Sequence, residues 1–277
     1  MTRMILAVLS ALCAVSCSSV LQSPLSPNAV KKSEPLPAHV VIFKFDDLNY
    51  YKAGTQYIRS EWFWLAGVCA SNGIEASIGI IGSALDTNEA YTNNLYQWVR
   101  TNAVENGGRF EFWHHGYTHY IGTGEAEYSN RPPAEMESYY NRTASLFSER
   151  LGLTCRTFGA PGNVTDVPFW AIFNARSDIR VWFIGTSAGA GAGKAVLART
   201  APFLETNVGM VSFAKFTNQY MVYHCSTNAY LVLQGHPTRW DLPAEKDEFE
   251  KVVKFLKDEG WVFWSPYRYC RAAGTVE

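Results

Sequence analysis

Apolar positions along the chain fall into two alternating rhythms. Short runs rich in β-branched and aromatic residues read as buried strands at 40–45, 74–81, 109–113, 155–159, 179–184, 229–234 and 261–264. Longer stretches between them, at 56–71, 90–105, 134–151, 166–175 and 244–259, carry the spacing of helices, and Gly260 stands where the last of these should be capped. Strands that alternate with helices predict an α/β fold with a parallel sheet, and this many repeats can close into a barrel. The segment 185–228 breaks the rhythm and reads as a flexible loop over the barrel mouth. It opens with GTSAGAGAGK at 185–194, which fails as a phosphate loop. Ala195 stands where Ser or Thr is needed, and Ala188 stands where the first Gly belongs.

Before the first strand the pattern changes. Arg3 precedes an apolar run over 4–15, too short to span a bilayer and typical of an export leader. Ala14-Val15-Ser16-Cys17 resembles a bacterial lipoprotein box, which would place a lipid anchor on Cys17; cleavage and release is the alternative. Residues 1–17 are therefore read as a signal peptide and the Ser/Pro-rich 18–37 as a linker. Residues 38–277 form one catalytic domain. The expected location is outside the cytoplasm, either in the cell envelope or secreted. Hydrophobic residues make up 47% of the chain and charged residues 18%, enough for a large core and against disorder. A net charge of -1 gives no electrostatic reason to expect nucleic acid. Cys69, Cys155, Cys225 and Cys270 lack metal-finger spacing. They read as structural or free, with any pairing left open.

The polar residues that carry chemistry follow strand ends, and in a parallel barrel those ends share one rim. Asp46 and Asp47 close the first strand, where a turn can bring both carboxylates to one site. His115 and His119 are four apart, the spacing of one helical face, and can share a cation. His114 faces away from His115 on a strand and reads as structural. Asn163 follows the fourth strand. His236 ends the strand at 229–234 before Pro237, and its imidazole suits proton donation. One Asp with two His leaves an open coordination position, as at a catalytic zinc site. The aromatic content of 14% fits a core or a sugar cleft; Tyr50, Tyr51, Trp62, Trp64 and Trp240 are cleft candidates, although Trp62 and Trp64 lie on a helix that should bury them.

At these motifs the sequence resembles the polysaccharide deacetylases, carbohydrate esterase family four or the NodB-homology domain. Phe45-Asp46-Asp47, EFWHHGYTH at 111–119, FGAPGN at 158–163 and LVLQGH at 231–236 occur in the family's order across about 39–267. The resemblance implies a distorted (β/α)7 barrel and removal of acetyl groups from N- or O-acetylated carbohydrates. It implies Asp46 as general base, a divalent metal, zinc, on Asp47, His115 and His119, and His236 as general acid. It also puts an oxyanion-stabilising N–H near Gly162, and we group Gly162, Asn163 and Trp240 as substrate-binding. Two departures stand out: Gly159 occupies the position of an arginine that orients the base, and Leu48-Asn49 replaces the family's Asp-Gly. They motivate two alternatives: a catalytically weakened carbohydrate-binding protein on the same fold, and a metal amidohydrolase for a non-sugar amide. A structural lipoprotein without metal is a further alternative.

Overall fold

A computed structural model describes residues 34–51, 57–87, 92–240 and 242–277. The signal peptide, the Cys17 anchor site and the linker up to residue 33 lie outside the described residues.

The chain begins with β1 (Val40–Leu48), whose burial is almost unbroken, as expected of a strand covered on both faces. Helix and strand then alternate through α1 (Ser60–Asn72), β2 (Ala76–Ile80), α2 (Thr92–Asn102), β3 (Phe110–His114), α3 (Pro133–Leu146), β4 (Thr157–Phe158), α4 (Val167–Ala175), β5 (Val181–Phe183) and β6 (Ala195–Leu197). A hairpin of β7 (Glu205–Asn207) and β8 (Met210–Val211) and then α5 (Phe213–Val222) precede β9 (Tyr230–Gly235), α6 (Pro243–Asp258), β10 (Val262–Phe263) and α7 (Pro266–Ala272). Seven parallel strands in the order β9-β1-β2-β3-β4-β5-β6 form a nearly closed, distorted (β/α)7 barrel, with β10 beside the start of β1. Among the described residues no ladder joins β6 to β9. Arg199 crosses that seam instead, donating to Gln234 Oε1 at 2.7 Å.

Helices seal the barrel by the usual stripe. On α6 the buried residues are Phe249, Val252, Val253 and Leu256, at spacings of three and four. Gly260, at φ +83°, ends the turn after that helix, a conformation that favours glycine. Phe43 stacks on Phe45 and Phe263 in the same core.

The segment 185–228 is not a loop throughout. It supplies the barrel strand β6, the β7–β8 hairpin and α5. Strands of two or three residues are too short for periodicity to show, which is why they read as a break. The four cysteines are buried free thiols. Burial pushes Cys69 and Cys270 up to about 12, so they behave as small apolar residues.

Candidate active site

The rim site starts where β1 ends. Strict alternation would send Asp46 and Asp47 to opposite faces. Asp47 instead adopts φ +71°, and the β1–β2 register slips between Phe45 and Leu48, so both carboxylates turn to the same rim. A non-glycine residue in this region costs on the order of 1 kcal/mol, strain of the kind that collects at functional sites.

The two adjacent histidines at the end of β3 have opposite fates. His114 is fully buried and stacks on Tyr140. Its Nδ1 accepts the Gly116 N–H at 3.1 Å, so its Nε2 donates to the Tyr140 carbonyl at 3.1 Å. Burial pushes its pKa down to about 3, which keeps it a neutral structural group. His115 Nδ1 donates to the Gly159 carbonyl at 2.8 Å, and this turns Nε2 towards the rim.

The chain between His115 and His119 is a loop, not a helix, so the four-residue spacing works by another route. Glu127, fully buried, accepts the backbone N–H groups of Tyr117, Thr118 (3.0 Å) and His119 (2.7 Å) in succession. Gly116, at φ +76°, has no room for a side chain; a Cβ there would meet Glu127 Oε2 at 2.8 Å. His119 sits at φ +59°, and its ring lies 5.0 Å from that of His115.

The outcome is a three-ligand cluster. One atom each of Asp47, His115 and His119 lies within 4.8 Å of the others. Asp47 Oδ1 is 3.2 Å from His115 Nε2 and 3.0 Å from His119 Nε2. Neither Asp47 Oδ1 nor His115 Nε2 has an aligned hydrogen-bond partner among the described residues, although both atoms are buried. Orphaned atoms facing one point are costly unless a cation sits there, so this donor set fits a divalent metal. Burial alone would raise the Asp47 carboxyl. The two imidazoles beside it outweigh that and hold it far below the usual range.

Asp46 and His236 lie beside this cluster. Asp46 Oδ2 lies 3.8 Å from His115 Nε2 and 3.9 Å from His236 Nε2. Lys44 donates to both oxygens of Asp46, at 2.7 and 2.6 Å, and Gln234 donates to Oδ2 at 2.8 Å. His236 Nδ1 donates to Glu205 Oε2 at 2.6 Å, and its backbone N–H donates to Glu205 Oε1 at 2.8 Å. Burial opposes the charged form of His236, but the hydrogen bond to Glu205 and the charges of Asp46 and Glu205 outweigh it and raise its pKa.

The remaining expected residues divide. Gly162 and Asn163 form a short turn after β4; Gly162 is exposed at φ +60°, and the Asn163 amide reaches Gln234 Oε1 at 3.5 Å. Tyr50 and Tyr51 line a cleft of about 440 Å³ together with Asp47, His119, Arg59 and Arg239. Trp240 is not a sugar platform. It is fully buried against Phe45 and Phe249, and its indole N–H donates to Glu205 Oε1 at 2.7 Å. Trp62 is likewise buried. The sequence reading missed Lys44, Glu127, Glu205 and Gln234. Only Lys44 left a signal, as the lone charge inside the apolar run 40–45.

No family model matches the sequence, and no curated protein matches it. Solved structures do. The chain resembles a family 4 acetyl xylan esterase from Clostridium thermocellum in complex with a cobalt ion, at TM-score 0.57 and 13% identity over 86% of this chain and 93% of that one. It resembles a peptidoglycan deacetylase from Bacillus subtilis at TM-score 0.52 and 12% identity, over 85% and 91%. It also resembles a CE4 family pseudoenzyme from Bacillus anthracis at TM-score 0.53 and 10% identity, over 86% and 66%. The chain thus has the fold of the family 4 esterases and deacetylases. That fold serves active enzymes and a pseudoenzyme alike, so activity has to be argued from the residues.

Proposed function

We propose that the protein is a metal-dependent hydrolase that removes acetyl groups from N- or O-acetylated carbohydrates. The observation that carries this reading is the position of Asp46 Oδ2, 3.8 Å from the ligand His115 and 3.9 Å from His236. A three-ligand cluster, a carboxylate and an oriented imidazole therefore meet at one place, beside the cleft that Asp47 and His119 line. A divalent ion such as zinc, held by Asp47, His115 and His119, would polarise the acetyl carbonyl and acidify a water.

The chain's own groups then handle the protons. Asp46 Oδ2 takes the proton from the attacking water. Its two bonds from Lys44 leave the carboxylate no freedom to swing away. As the tetrahedral adduct of the acyl carbon collapses, His236 delivers a proton from Nε2 to the departing nitrogen or oxygen. Nδ1 is committed to Glu205, so Nε2 is the nitrogen that faces Asp46. The raised pKa of His236 increases the share of imidazole that carries the proton, the form an acid needs. Support for a carbohydrate substrate comes from the cleft itself, where Tyr50 and Tyr51 stand beside the ligands, and from the fold shared with esterases and deacetylases of glycans.

The test is metal content by plasma mass spectrometry together with acetate release from acetylated xylan, chitin oligomers and peptidoglycan fragments. The wild type should hold about one zinc per chain and release acetate, and His115→Ala/His119→Ala should lose both. A wild type that binds no added zinc, or binds it and releases acetate from none of these substrates, would end the reading.

A further inference from the structure

Lys44 lies mid-strand on β1 with no exposed surface. An ammonium group in such a place costs several kcal/mol unless it is paired. Position 44 is two residues before Asp46, which on a strand puts both side chains on one face. The ammonium forks onto both carboxylate oxygens, and it lies 4.9 Å from the centroid of Trp113 and 5.8 Å from that of Phe183. Gln234 closes the other side of Oδ2, and its own oxygen is held by Arg199 at 2.7 Å. The carboxylate thus has three N–H contacts that fix its plane. Gly159 sits directly against this group. A Cβ there would come within 2.7 Å of Trp113 and 3.4 Å of Lys44 Cε, so the volume that a side chain at 159 would need is already taken.

We propose that Lys44 is the positioning residue of this active site, aiming Asp46 at the attacking water from within the same strand. The missing side chain at Gly159 is then no defect. The orienting cation comes from β1, and residue 159 must stay small to let it in. This rests on the deacetylase reading of the site for its kinetic arm and on Asp46 geometry alone for its structural arm.

The test is Lys44→Met, which keeps the apolar stem and removes the donors. A displaced general base should lower kcat by about 10²-fold with KM and zinc content unchanged. Added to Asp46→Asn, the substitution should cost nothing further, because the group it positions is gone. Lys44→Arg should recover part of kcat. A crystal structure of Lys44→Met should show the Asp46 carboxylate rotated from its present plane. A kcat within about two-fold of wild type, the same loss on the Asp46→Asn background, or an unmoved carboxylate would each overturn the proposal. If Lys44→Met does not fold, Lys44→Gln, which replaces the charged ammonium by a shorter neutral amide, is read by the same measurements; wild-type kcat with an unmoved carboxylate overturns it there too. If the wild type releases no acetate, the deacetylase reading fails by itself, and the carboxylate position still decides the role of Lys44.

Discussion

On the ligand side of the cleft, Asp47, His115 and His119 are held largely by backbone. A left-handed turn places Asp47, the Gly159 carbonyl fixes His115, and three consecutive N–H groups close around Glu127 to shape the loop that carries His119. On the proton side, Asp46 and His236 are held mainly by side chains: Lys44 from the same strand as Asp46, and Gln234 and Glu205 from distant parts of the chain. The first frame rests on backbone geometry at three places, the turn at Asp47, the loop from His115 to Glu127 and the Gly159 carbonyl, and should hold or fail as a unit. The second is assembled contact by contact, so single substitutions should degrade it in steps while metal binding survives.

The sharpest way to break this comparison is to remove the proton-handling groups themselves. Asp46→Asn and His236→Ala should each lower kcat by roughly 10²–10⁴-fold, the usual weight of a general base or acid. Metal content by mass spectrometry should stay at the wild-type value in both. If either variant also lost its metal, the two sides would be one unit and the division would be wrong.

A smaller effect is expected from the brace on the ligand side. Glu127→Gln keeps the size of the acceptor but weakens its hold on the three N–H groups of the 117–119 loop. Metal affinity, measured by competition with a chelator, should drop about 10- to 100-fold, as for other groups that orient ligands without touching the metal. The pH dependence of the remaining activity should not move. A shift in that profile at unchanged metal affinity would assign Glu127 to the proton side instead.

Glu205→Gln probes the opposite brace. Glu205 helps raise the pKa of His236 above 6.5, so at a given pH more of the imidazole carries the proton. Without that charge the alkaline limb of kcat/KM should move to lower pH, with metal affinity unchanged. The stability effect has the same origin. A raised native pKa stabilises the fold fully below the unfolded value of 6.5, and the benefit is lost as pH rises through the native pKa. The gap in unfolding free energy between wild type and Glu205→Gln, in the metal-free protein, should therefore be wider at pH 5 than at pH 9. A gap independent of pH would mean that Glu205 supports His236 only by packing.

The same division explains what the sequence made legible. The barrel could be anticipated because β1, β2, β3 and β9 are long enough to show apolar runs, and their polar ends share one rim by topology. The ligand cluster was visible because adjacent aspartates and the spacing of His115 and His119 are local patterns. Even so, a loop gripped by Glu127 does what the helical spacing suggested. The braces of Asp46 and His236 were hidden. Glu205 lies on a three-residue strand in a stretch that reads as loop, and Gln234 looks like any polar residue near a strand end. No local pattern joins Glu205 to a histidine thirty-one positions later. Lys44 was the exception: a charge inside an apolar strand must find a partner, and the partner two residues on was already the candidate base.

The smallest effect concerns Trp240, which composition offered as a sugar-binding surface. It is fully buried, and its contacts point inwards: edge-on to Phe45 at 5.9 Å, tilted on Phe249 at 5.0 Å, and through its indole N–H to Glu205. Trp240→Phe keeps most of the apolar ring and removes that one donor. The expected loss is about 1 kcal/mol of stability, the net worth of a single hydrogen bond, with any change in the His236 pH limb smaller than that of Glu205→Gln. KM for an acetylated glycan should stay the same, because no face of the ring meets the cleft. A KM raised several-fold at unchanged Tm would return Trp240 to the substrate surface. It would also mean that the proton side of the site opens further than its present packing shows.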